Sequence, residues 1–123
     1  MHENYYKEGR AINQSFDQDR LAMAKNIKAV LVFAGQELQL ELKGDFDQHP
    51  AELVVLMENP TRSKLDFAIP VKHLANGHYL GQLPQAVNYD WDVKIFGPEK
   101  DWRIYGRGYF PLSQPLELRP SER

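Results

Sequence analysis

Nine residues constrain this chain more than any others: YDWDVKIFG, positions 89–97, in which Tyr89, Trp91, Val93 and Ile95 alternate with Asp90, Asp92 and Lys94. A period of two puts successive side chains on opposite faces, so the stretch predicts a β-strand with one face in a core and one in water. ELQLELKG at 37–44 repeats the pattern, with Leu38, Leu40 and Leu42 inward and Gln39 and Glu41 outward, as in a half-buried antiparallel strand. AELVVLMEN at 51–59 is apolar on both faces and reads as a central strand. KLDFAIPV at 64–71 alternates through Leu65, Phe67, Ile69 and Val71; its Pro70, with no N–H to donate, favours a strand end or an edge. DWRIYGRGYF at 101–110 and PLEL at 115–118 complete the set.

Turn residues separate these runs: Gly35, Gly44-Asp45, Asn59-Pro60, Asn76-Gly77, Asn88 and Gly97-Pro98. Short strands at this spacing, without an intervening helix, predict an Ig-like antiparallel β-sandwich of seven to eight strands. In ANGHYLG, Gly77 and Tyr79 have the spacing of an Ig-type tyrosine corner, with Gly81 where an antibody domain has its second cysteine. The chain has no cysteine, so the sandwich has no disulfide, and Trp91 or Trp102 is expected to fill its core.

Before the strands the period is different. Tyr5, Ile12, Phe16, Met23 and Ile27 follow one another at steps of 7, 4, 7 and 4, one face of an α-helix, while Lys7, Glu8, Arg10, Gln14, Asp17, Gln18 and Lys25 fall opposite. This predicts one N-terminal amphipathic α-helix of about five to six turns. Gly9 lies inside it, at a cost of about 1 kcal/mol relative to alanine. The expected division is residues 1–27 for the helix, 28–119 for the sandwich and 120–123 for a frayed tail. A chain of 123 residues suits one domain with one core.

Chemistry-bearing motifs are few. The absence of cysteine excludes thiol nucleophiles and zinc–thiolate sites, and a net charge of −2 argues against a basic nucleic-acid surface, so no nucleic-acid partner is expected. No stretch approaches the roughly 20 apolar residues that span a bilayer. No serine sits in a G-x-S-x-G elbow, and no phosphate-binding glycine loop occurs; the glycines of Gly106-Arg107-Gly108 are expected to mark a bulge. The acidic pairs Asp45/Asp47 and Asp90/Asp92 read as solvated positions. His73 and His78 straddle the Asn76-Gly77 turn and, with Met57, are the candidate donors for a soft copper site. Trp102, Arg103, Tyr105, Arg107 and Tyr109 form a candidate exposed ladder, of the residue types that anchor protein interfaces. Short loops offer little material for a concave pocket, and no enzyme is expected.

Residues 4–14, NYYKEGRAINQ, resemble the signature that follows the membrane anchor in the FixH family, also called CcoH. GHYLGQLPQAVNYDWDVKIFG at 77–97 is similar to that family's second landmark, a G-x-Y strand leading to a tryptophan strand. The resemblance covers nearly the whole chain. It implies an inner-membrane protein with one N-terminal transmembrane helix and a periplasmic Ig-like domain, the anchor being absent from a soluble fragment that starts at Met1. It implies a non-catalytic maturation factor for the cbb-type cytochrome c oxidase, in contact with oxidase subunits and with other assembly proteins including a copper-exporting P-type ATPase. Tyr5 and Tyr6 would then lie at the membrane–water boundary. Tyr5, Tyr6, Ile12 and Asn13 are the candidate partner contacts. No cofactor is expected; the alternative function is a periplasmic copper-binding chaperone or sensor using His73, His78 and Met57.

Overall fold

The computed structural model describes residues 17–85, 87–110 and 114–120. A helix, α1, is described over residues 17–24. Eight strands follow: β1 (Lys28–Ala34), β2 (Glu37–Lys43), β3 (Glu52–Glu58), β4 (Phe67–Ala75), β5 (His78–Gln82), β6 (Tyr89–Phe96), β7 (Arg103–Phe110) and β8 (Leu116–Leu118). The fold is mainly β, as the alternation predicts. Every strand pairs antiparallel with its neighbours, in the order β7-β6-β3-β4-β5-β2-β1-β8.

The sheet bends over so that its ends meet, giving a sandwich-like arrangement. β4 joins the layers: Phe67–Lys72 pair with β3, whereas Val71–Ala75 pair with β5, with an irregularity between His73 and Ala75. Pro70 is the last residue before pairing with β5 begins, so β4 has a neighbour on one side only where its N–H is missing. The seam is closed by two backbone bonds, Tyr105 N–H to Arg119 O at 2.8 Å and Arg119 N–H to Tyr105 O at 3.0 Å. Phe33 of β1 meets Phe110 of β7 edge-to-face, with ring centroids 4.8 Å apart.

The inward residues of each strand make the core. Leu38, Leu40 and Leu42 are buried as expected, as are Val93, Ile95 and both tryptophans, Trp91 and Trp102. β3 is central in the pairing order but not apolar on both sides in effect: Leu53, Val55 and Met57 are buried while Val54 is exposed. Leu65 also departs from its expected inward place, lying exposed in a 3₁₀ turn before β4 begins. Gly106 and Gly108 do not form a bulge, because β7 keeps an unbroken register with β6. They are inward residues opposite Val93 and Trp91, and at Gly106 the Leu118 side chain and the Glu117 carbonyl leave no room for a Cβ.

The hairpin between β4 and β5 turns through Asn76 (φ 53°) and Gly77 (φ 80°), two successive left-handed residues of the kind that match strand twist. At the end of α1 the Ile27 N–H donates to Ala22 O (2.9 Å) and the Asn26 N–H to Met23 O (3.1 Å), with Asn26 at φ 54°. This is a Schellman ending, and it delivers Ile27 straight into the core.

α1 turns its other side inward from the one its apolar spacing predicts. Met23 is exposed, whereas Gln18 and Asp19, at 6% and 3% exposure, are buried with Ala22. The cause is polar pairing. Arg103 grips Asp19 through Nε at 3.1 Å and a terminal guanidinium nitrogen at 3.0 Å, and Gln18 Nε2 donates to Lys100 O at 2.7 Å.

Candidate functional site

Tyr5, Tyr6, Ile12 and Asn13 lie outside the described residues. His73, His78 and Met57 are all described, and the fold does not bring them together. Met57 is fully buried and pairs with Phe67, six residues along β4 from His73, a separation of about 20 Å at the rise of an extended strand. The His73 ring lies 5.0 Å from the Tyr79 ring, so His73 shares the face of Tyr79; His78, next in sequence to Tyr79, points the other way. There it is exposed, 3.6 Å from Glu41. These three donors cannot hold one ion. Among the described residues no three His, Asp or Glu side chains gather into a metal-binding group.

His73 has a different employment. Its Nε2 accepts the Gly77 N–H at 3.0 Å, which commits that lone pair to the hairpin turn. His49, which sequence spacing does not single out, stacks on it with centroids 5.4 Å apart and planes at 14°. Tyr79 ties the same corner by donating its hydroxyl to Pro50 O at 2.6 Å. The G-x-Y spacing therefore does mark a tyrosine that bonds back to upstream backbone, but the bond spans 29 residues to the approach of β3 rather than a local corner.

Burial pushes the Tyr79 phenol from 10.0 up to about 12. The neutral form is the one the fold favours, so the stabilisation is complete below pH 10 and is lost as pH rises through about 12. Chemical denaturation of the wild type is expected to show a loss on the order of 2 kcal/mol across that window. Tyr79→Phe should start about 1 kcal/mol less stable and lack this component of the alkaline loss.

The outward face of β3, β6 and β7 has a different composition. Trp102 does not contribute to the ladder, being buried, and Arg103 is held by Asp19. Tyr105, Arg107 and Tyr109 remain, opposite Lys94, Asp92 and Asp90 respectively. Asp92 organises two of them: it accepts from the Tyr105 hydroxyl at 3.2 Å and lies 3.4 Å from Arg107 Nε. Partial burial, followed by the Asp92 charge and this hydrogen bond, pushes the Tyr105 phenol above its ordinary value. Lys94 meets Glu58 at 2.8 Å. Beside this face a groove of about 440 Å³ is lined by Val54, Leu56, Phe96 and Pro98, with Glu52 and Lys100 as its ionisable residues.

One residue departs from the alternation that announces its strand. Tyr89 opens β6 at φ 72°, and its side chain is 72% exposed instead of inward. A bulky residue in the left-handed region costs about 1–2 kcal/mol and persists only where its surroundings impose it. Here they do. The indole of Trp91 is buried edge-on against Phe67 (centroids 5.2 Å apart), and its N–H captures the carbonyl of Asn88 at 2.7 Å.

No helix among the described residues is long and apolar enough to cross a membrane. Neither the curated proteins nor the solved structures contain a match to the chain. The FixH family model matches residues 1–109, which takes in β1 to β6 and all of β7 but Phe110. With the greater part of its length matched in this way, the chain belongs to the FixH family.

Proposed function

We propose that this domain is a non-catalytic maturation factor for the cbb-type cytochrome c oxidase, acting in the periplasm at the inner membrane by direct contact with oxidase subunits. Membership of the FixH family supports the process. The observation that carries the mode of action is the outward face of β6 and β7, where Tyr105 and Arg107 are held by Asp92 beside an exposed Tyr109. Tyr and Arg are enriched among the residues that dominate interface energetics, because they bury large area and donate hydrogen bonds. The opposite layer supports the choice by contrast: its outward face exposes Val32 and Leu74 beside Glu37, Gln39 and Glu41, residue types that rarely anchor an interface.

The test is complementation of cells lacking the protein. A Tyr105→Ala/Arg107→Glu/Tyr109→Ala chain that accumulates to the normal level is expected to lower cbb-type oxidase activity in membranes at least about tenfold. Gln39→Ala, on the other layer, should leave it unchanged. Full oxidase activity with the triple variant would remove this face from the function.

A further inference from the structure

Asp90 sits on the outward face of β6 directly opposite Tyr109 of β7. Residues paired across an antiparallel ladder hold their Cβ atoms about 5 Å apart, so the carboxylate and the phenol ring are lateral neighbours. Tyr109 is 66% exposed, and Tyr89, next to Asp90 in sequence, is 72% exposed. Asp92, two residues on, already has Arg107 and the Tyr105 hydroxyl. Asp90 has no Lys, Arg or His within ion-pair distance among the described residues.

A carboxylate with no cationic partner among the described residues, next to an exposed aromatic ring, is complementary to an organic cation. The carboxylate supplies charge, and the ring face supplies its negative quadrupole. A single carboxylate without further oxygen donors does not suit a hard metal ion, which takes six or more. An anion would meet repulsion from Asp90. The presentation is also built into the fold: the Trp91 indole holds Asn88 O and so turns Tyr89 outward.

Resting on the adaptor function above, we infer that Asp90, Tyr89 and Tyr109 form a receptor for a basic side chain, a lysine or arginine, projecting from a partner protein. The partner segment lies across the start of β6 and the end of β7, its cation against Asp90 and its apolar stem against the tyrosine rings.

The experiment places a photo-crosslinking p-benzoylphenylalanine at Tyr89 in the full chain in cells, and at Leu74 on the other layer for comparison. Adducts are mapped to the partner segment by mass spectrometry, with and without Asp90→Lys and Asp90→Glu. The expected result is an adduct from position 89 to a segment bearing Lys or Arg. Asp90→Lys should reduce it at least about tenfold, and Asp90→Glu should keep it. An adduct on an oxidase subunit with this charge dependence supports both the receptor and the adaptor function. The same charge-dependent adduct on a protein outside the oxidase supports the receptor and overturns the oxidase assignment. An adduct on an oxidase subunit that is indifferent to Asp90→Lys keeps the assignment and overturns the receptor. No adduct from position 89, with one from position 74 or none, overturns the receptor as well.

Discussion

Replacing Asp19 by alanine is expected to lower the unfolding free energy by about 3–5 kcal/mol, because it strands a largely buried guanidinium. The Arg103 and Asp19 side chains are only 13% and 4% exposed, and two charge-assisted bonds join them. Desolvating these two charges is unfavourable, and only their mutual contact offsets it. The sign of the double variant follows: Asp19→Leu/Arg103→Met removes both charges, keeps volume, and should cost less than either single replacement. Urea denaturation followed by the tryptophan signal reads both effects as midpoint shifts at constant slope. A loss under about 1 kcal/mol for Asp19→Ala would put the pair in water, where exposed ion pairs contribute that little. The pair also docks α1, together with the Gln18 bond to Lys100 O, so its loss should lower helical circular dichroism before the sheet unfolds.

Trp91→Ala is the second large effect, about 3–5 kcal/mol, from a cavity in the core where the indole packs against Phe67 and over Gly108. Trp91→Phe separates packing from presentation. It keeps a ring in the core but loses the N–H that holds Asn88 O, a neutral hydrogen bond contributing about 1 kcal/mol. Tyr89 then has no reason to remain at φ 72°. A folded Trp91→Phe domain should therefore show Tyr89 less accessible to tyrosine nitration, with Tyr109 unaffected. Unchanged nitration at Tyr89 would mean that some other contact sets its conformation.

The strands were legible because most of them bury one face only. In β2 and β6 the alternation is a direct imprint of the core, and the Asn76-Gly77 and Gly35 turns carry the left-handed residues their hairpins need. β1 is harder to read, since KAVLVFA is apolar on both sides although Val32 faces water. The inward side of α1 was not legible, because hydrophobic spacing cannot foresee that an aspartate will be buried by an arginine 84 positions away. The outward turn of Tyr89 escaped for a related reason: strand parity points it inward, and the indole bond that overrides parity is a tertiary contact.

The proposed copper donors show the same limit from the other side. Residue types and nearness in sequence bring His73, His78 and Met57 to mind together, but pleat parity sends His78 to the opposite face and strand length carries Met57 away. Of the interface residues, Tyr105, Arg107 and Tyr109 were readable as a ladder from their spacing of two. That Asp92 would hold the first two, and that Asp90 would face Tyr109 with no cation beside it among the described residues, required the β6–β7 register.

The claim that joins family, fold and surface is that the β6–β7 face is where an oxidase partner sits. Hydrogen–deuterium exchange of the domain, alone and with purified cbb-type oxidase, tests it most directly. Slowed exchange is predicted for backbone amides at the start of β6 and in β7 from Tyr105 to Tyr109, with β1, β2 and β5 unchanged. Protection confined to β1, β2 and β5, or none at saturating oxidase, would contradict it.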